Sequence, residues 1–166
     1  GYREDNMFYH PVLKYQFPIP VNWNYKNTPQ RVQVAQKDGK ALLMLILAQG
    51  SNLQEAANNI TQQYKLTTVE SRNITVNGLP AVYLLADQLP QEEGSPTLRT
   101  MSYIIQYNGN IYHLIGVSTL AEFNNYAATF NNTMLAFRPL TDPAKLNKKA
   151  ERIRIRTVNS SQTLSQ

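Results

Sequence analysis

The sequence predicts an α+β domain: an antiparallel sheet of about six or seven strands, built from hairpins and covered by helices. Three observations carry this. The dipeptides Asp38-Gly39, Asn77-Gly78 and Asn108-Gly109 each separate two runs of strand-forming residues, and Asn or Asp followed by Gly tolerates the positive φ angles of a type I′ hairpin turn. Two other segments repeat their apolar residues at helical spacing. At 166 residues the chain is long enough for one substantial core and short for two.

The elements follow in order. Tyr15 and Phe17 alternate in an opening edge strand that Pro18 and Pro20 end, with Trp23 placed to plug the sheet end. Arg31–Gln36 and Ala41–Leu47 flank the first turn, Asn73–Val76 and Leu79–Leu85 the second, Met101–Tyr107 and Ile111–Val117 the third. Leu53, Ala56, Ala57, Ile60 and Tyr64 form one helical stripe behind Ser51, with Gln54 at capping-box spacing. Phe123, Tyr126, Ala127, Phe130 and Met134 form a second behind Thr119, with Glu122 at the same spacing. Asp87–Thr97, rich in Pro, Gly and Glu, is the most loop-like stretch and is expected to be mobile. We divide the chain into a domain over 1–140 and a basic C-terminal helix, strand and tail over 141–166, with Asp142 expected at a helix N-cap.

Composition removes several function classes. Apolar residues make up 42% and no apolar run approaches the length of a membrane span, so the chain is neither disordered by composition nor transmembrane. Without cysteine it has no disulfide and no Cys-ligated metal. The net charge of +5 is localised: ten Lys/Arg balance ten Asp/Glu up to Ala144, whereas Lys145–Gln166 carries six against one. A neutral body with a cationic end does not form the basic folded face of a nucleic-acid module, so no nucleic-acid partner is expected. The chain opens on the polar run Gly1–Asn6 with no initiating Met and no targeting sequence, and reads as a segment of a longer protein.

Candidate chemistry is sparse. There is no H-E-x-x-H, no G-x-S-x-G and no phosphate-binding Gly-rich motif. His10 sits before Pro11 among aromatics, and His113 lies between Tyr112 and Leu114 in a strand. His113 is either a half-buried strand residue hydrogen-bonded to a neighbour or a ligand or base, and the first reading is preferred. Glu92 and Glu93 are consecutive in the loop and form no acid–base pair. Tyr103 and Tyr112 share a sheet face with Tyr83, as packing residues or as the lining of a ligand groove.

Lys14–Trp23 resembles the opening strand of the PsbP/Mog1-like fold, an α/β/α sandwich. A second resemblance covers nearly the whole chain. Asn6-Met7-Phe8-Tyr9-His10-Pro11, Phe17-Pro18, Trp23, Asn27-Thr28-Pro29 and Asp38-Gly39-Lys40-Ala41 are similar to the C-terminal domain of bacterial periplasmic BepA-like zinc metalloproteases, which are H-E-x-x-H enzymes. Arg152–Val158 resembles the closing strand of that domain. Beyond it, Thr157, Val158, Thr163 and Leu164 match a LysM-like start whose Gly and Asp positions here hold Ser161 and Gln162.

The resemblance implies a non-catalytic accessory domain of an exported, envelope-located zinc endopeptidase, with the zinc held by the parent's catalytic domain and no catalytic or metal residue in this chain. The expected partners are the protease domain of the same chain, with envelope proteins or peptidoglycan as further candidates. The contact is expected at an exposed sheet edge or at the Asp87–Thr97 loop, with Glu92, Glu93, Tyr103 and Tyr112 as candidate binding residues. A second expectation is that Arg152, Arg154 and Arg156, on one face of a strand, engage anionic phospholipid or peptidoglycan; the alternative is that Ile153 and Ile155 pack while the arginines face water. A third, an independent hydrolase around His113, would need a positioned base.

Overall fold

A computed structural model describes residues 1–148. In chain order the elements are β1 (Tyr2–Glu4), β2 (Met7–His10), β3 (Tyr15–Pro18), β4 (Asn24–Asn27), β5 (Arg31–Ala35), β6 (Ala41–Leu47), α1 (Leu53–Gln63), β7 (Thr67–Val76), β8 (Leu79–Gln88), β9 (Leu98–Tyr107) and β10 (Asn110–Thr119). A 3₁₀ turn (Phe123–Asn125), α2 (Ala127–Met134) and β11 (Arg138–Pro139) follow, and residues 143–148 are helical. The α+β class and the hairpin-built antiparallel sheet expected from the sequence are both present. Seven strands run in the order β4-β5-β6-β10-β9-β8-β7, and a separate four-stranded sheet has the order β1-β2-β3-β11.

The turns at Asn77-Gly78 and Asn108-Gly109 have positive φ at both residues, 48° and 81° in one and 52° and 84° in the other. These are the two-residue type I′ connections that the dipeptides specify. Asp38-Gly39 differs. Only Gly39 takes positive φ, the Gln36 N–H bonds the Ala41 carbonyl at 3.0 Å, and Asp38 Oδ1 accepts from the Lys40 N–H, so the dipeptide sits inside a longer loop.

Each face of the large sheet is covered differently. On one face α1 lays Ala56, Ala57 and Ile60 against Val82, Leu84, Ile104 and Ile111. Its N-cap is Asn52, one residue after the expected Ser51: the Asn52 side chain accepts from the Glu55 N–H at 2.8 Å, and Glu55 reaches back to the Ser51 N–H and hydroxyl. The opposite face is covered by α2 and by the four-stranded sheet together. The expected all-helical cover is therefore half β-structure. Tyr15 and Phe17 are fully buried in β3, which lies between β2 and β11 rather than at an edge.

The second helical stripe is divided for a local reason. Thr119 Oγ1 accepts from the Glu122 N–H as expected, but the following turn is 3₁₀ and α2 starts only at Ala127. Trp23 meets the edges of Tyr126 and Phe130 with centroids 6.4 Å from each, so it covers this junction. At the other end of α2, the Asn77 side-chain amide donates to the Leu135 and Phe137 carbonyls at 3.0 and 2.7 Å. The first is the C-cap carbonyl, an acceptor that a helix C-terminus leaves open, and the second lies in the segment that follows.

Residues 143–148 fold back on β1 and β2. The Tyr2 hydroxyl donates to the Lys145 carbonyl at 2.7 Å, and Lys145 and Lys148 both pair with Glu4. Their ammonium groups stand 5.2 Å from the Tyr9 ring centroid and 5.9 Å from that of Tyr2. Two of the six cations assigned to the C-terminal cluster thus belong to the folded body.

Close packing makes one position decisive. A Cβ on Gly116 of β10 would stand 2.5 Å from the Phe130 ring, well inside contact distance. Gly116→Ala is expected to cost about 1–3 kcal/mol through overpacking, read as a lowered urea midpoint with unchanged slope. An unchanged midpoint would show that α2 is not seated on β10 as described.

Candidate functional site

The groups singled out from the sequence fall, among the described residues, into four places. His113, in β10 beneath α1, is 2% exposed, and its Nε2 shares a 2.8 Å hydrogen bond with the fully buried Ser102 hydroxyl of β9. Burial holds its pKa down at about 4, so the imidazole is neutral at pH 7. Among the described residues no carboxylate hydrogen-bonds that ring. The adjoining cavity, about 170 Å³, lies between the β6 end and α1, lined in part by Gln49, Asn59, Gln63 and Tyr64. The preferred reading of His113 as a strand residue bonded to a neighbour matches this arrangement, with burial complete rather than partial. His10 lies on the other sheet. Its Nδ1 accepts from the Leu13 N–H at 3.1 Å, and its ring is 5.2 Å from Tyr15.

Tyr103 and Tyr112 do share a face with Tyr83, and that face is interior. Tyr103 is 4% exposed and its hydroxyl donates to Asn131 Oδ1 at 2.5 Å; burial pushes its pKa up to about 12. Tyr112 packs against Tyr15 and Phe137, with ring centroids 5.3 and 5.5 Å away, and its hydroxyl accepts from the Asn110 amide. Burial raises its pKa too. Both rings serve the core, because the four-stranded sheet and α2 cover them. A cavity of about 430 Å³ does open on this side, bounded by Pro18–Val21, Trp23 and the Thr129, Asn132 and Thr133 side of α2.

Glu92 and Glu93 are exposed in the loop between β8 and β9. That loop is shorter than the Asp87–Thr97 stretch expected, because Asp87 and Gln88 end β8. Its base is clamped. Arg99 donates to both Asp87 carboxylate oxygens, at 2.7 and 2.9 Å, and its guanidinium stands 5.9 Å from the Phe123 ring centroid. The Leu120 N–H closes the base on the Thr97 carbonyl at 2.9 Å. Leu89 is 63% exposed on the loop and Leu120 43% exposed beside it. The clamp was not foreseen; opposite charges flanking a Pro-Gly loop were its signal. Arg152, Arg154 and Arg156 lie outside the described residues.

Among the described residues no group of three His, Asp or Glu side chains is placed to hold a metal ion, and no helix is long and apolar enough to cross a membrane.

No protein-family model matches this sequence, and no curated protein matches it. Solved structures do. CyanoP, the cyanobacterial PsbP of Synechocystis sp. PCC 6803, superposes with a TM-score of 0.63 at 11% identity, over 80% of this chain and 91% of that one. The fold is PsbP-like. LpqN of Mycobacterium tuberculosis, described as involved in cell envelope biogenesis, gives 0.52 at 14% identity over 76% of this chain and 83% of its own. A protein from Bacteroides thetaiotaomicron VPI-5482 gives 0.56 at 11% identity over 97% of this chain, which spans 62% of that one. At these identities the likeness is one of fold, and neither protease association nor a ligand comes with it.

The buried imidazole of this PsbP-like domain has a pH consequence. Its folded pKa of about 4 lies below the unfolded 6.5, so the unfolded chain binds the proton more readily. The stabilisation is complete above pH 6.5 and declines as pH falls toward 4, by on the order of 3 kcal/mol. His113→Gln, which keeps a partner for Ser102 without titrating, should flatten this part of the stability profile in urea unfolding across that window. An identical slope in both proteins would remove His113 as its source.

Proposed function

We propose that the chain is a non-catalytic accessory domain of an envelope zinc-dependent metalloprotease, acting by binding: it docks on the protease domain or holds a substrate or partner protein. The observation that carries this reading is the acidic loop at 89–97. It offers Leu89, Glu92 and Glu93 to solvent from a base fixed by the Arg99–Asp87 pair. A loop on a rigid scaffold is where recognition residues gather. The buried polar groups, by contrast, are engaged within the fold: His113 with Ser102, Tyr103 with Asn131. The BepA-like motifs quoted above supply the metalloprotease context. The envelope assignment also draws on LpqN, which shares the fold and is described as involved in cell envelope biogenesis. The cofactor in this reading is the parent's zinc, and the compartment is the periplasm.

The test uses the full-length protein. Replacing Leu89–Thr97 by a Gly-Ser linker, or reversing Glu92 and Glu93 to Lys, should reduce proteolysis or partner capture while the thermal midpoint stays near that of the parent. Proteolysis and capture both unaltered would remove the loop as the docking element. Arg99→Ala should loosen the same loop without touching its tip, seen as faster cleavage within 89–97 by an added protease.

A second reading places the contact on the cationic end. Glu4 engages Lys145 and Lys148, which concentrates the remaining positive charge at Lys149, Arg152, Arg154 and Arg156. Attraction to anionic phospholipid or peptidoglycan would be screened by salt. Cosedimentation with phosphatidylglycerol vesicles or sacculi at low ionic strength should be lost at high ionic strength, and absence of binding at both removes this reading.

A further inference from the structure

Among the described residues the large sheet ends in two unequal edges. β4, at one side, spans four residues, whereas β7, at the other, spans ten, of which eight are exposed and only Val76 is buried. Its backbone polarity can be assigned from the turn beside it. A two-residue type I′ turn closes on a hydrogen-bonded pair, here Val76 with Leu79, and such pairs alternate along an antiparallel ladder. Ile74 and Arg72 therefore bond inward to β8, while Thr75, Asn73 and Ser71 turn their N–H and C=O groups outward. Pro80 agrees with this phase. It lies opposite Thr75, at a pair with no mutual bonds, where its missing N–H costs the β7–β8 ladder nothing.

Charges on an edge ordinarily discourage another strand from adding to it. On β7 they do so selectively. Glu70 and Arg72 flank Ser71 on the same face, already paired to each other, with the Arg72 guanidinium 4.7 Å from the Tyr83 ring centroid. We propose that β7 is a self-association edge, on which two copies of this chain join their large sheets antiparallel about a two-fold axis through Ser71. In that register Ser71 meets Ser71 of the second copy in a hydrogen-bonded pair. Glu70 faces Arg72 of the other copy and Arg72 faces Glu70, so four charges alternate in sign around the axis.

Moving the axis one residue puts Arg72 opposite Arg72 or Glu70 opposite Glu70, and like charges directly across a ladder are destabilising. Moving it two residues, to Asn73, leaves Arg72 against Ile74. The alternating charges thus select the Ser71 register. The irregularity between Thr68 and Glu70 leaves exposed Val69 at the limit of the joined ladder. The joint is short, and the dimer it makes is concentration-dependent. This surface is separate from the 89–97 loop, so either can fail without the other.

The experiment uses the whole chain in sedimentation equilibrium, with Ser71→Cys as the one thiol in a cysteine-free sequence. The expected result is a monomer–dimer equilibrium. Glu70→Arg alone and Arg72→Glu alone should each weaken the dimer roughly tenfold or more, since two facing pairs turn repulsive. The double exchange should restore it. Ser71→Cys should form a disulfide-linked dimer on mild oxidation, because the facing Cα atoms are about 5.5 Å apart. Asn73→Cys should not, because its two copies lie about 13 Å apart along the strands. A chain that stays monomeric up to its solubility limit, a dimer indifferent to both charge reversals, or cross-linking at Asn73→Cys in place of Ser71→Cys overturns the proposal. A monomer that takes up an unrelated extended peptide on β7 overturns it too.

Discussion

β9 and β10 lie at the heart of the large sheet, and six consecutive residues in each are buried. Strands buried on both sides need apolar cover above and below, and a chain without cysteine must supply that cover by packing alone. α1 covers one side with small residues, Ala56 and Ala57. The other side takes Tyr15, Phe17, Phe130 and Phe137, delivered by the four-stranded sheet, α2 and the segment after it. Each such ring contributes roughly 1.5–3 kcal/mol on burial, so the aromatic side holds most of the cohesion. Gly116 is part of the same requirement, since only the absence of a side chain lets Phe130 lie on β10.

This arrangement explains how polar chemistry is distributed. A buried histidine and a buried serine on the α1 side satisfy one another, and the tyrosines opposite find partners such as Asn131 or Asn110. The exposed features lie at the rim: the clamped loop at one sheet end, the cavity beside Trp23 and the edge of β7, which no described strand covers.

The strongly patterned parts of the fold were legible in the sequence. Central strands such as Met101–Tyr107 read as apolar runs, and Asn77-Gly78 and Asn108-Gly109 name their own turns. The outer parts were not. The first half of β7, Thr67–Arg72, faces water on both sides, so no alternation marks it and only the Asn73–Val76 end is visible. β1, β2 and β11 are too short to show a period, and they are held by distant rings rather than by local preference. Asp38-Gly39 misleads because pairing beyond the dipeptide sets the loop length. The displaced cap of α1 reflects a choice between two adequate residues, Ser51 and Asn52, that is settled by where Glu55 reaches. At the candidate site, a sequence position shows that a tyrosine lies in a strand but not which sheet comes down upon it, and this is why Tyr103 and Tyr112 proved interior.

Asn77 performs two tasks with separate parts of one residue. Its backbone accepts the left-handed bend of the turn, while its side chain bridges to carbonyls 58 and 60 positions further along. Neither bridge exists in a chain that has assembled only the hairpin or only the helix. Aspartate or glycine would serve the bend equally well and leave those carbonyls without a donor. The amide thus turns a local hinge into a keystone, a piece that locks once both sides of the arch are standing.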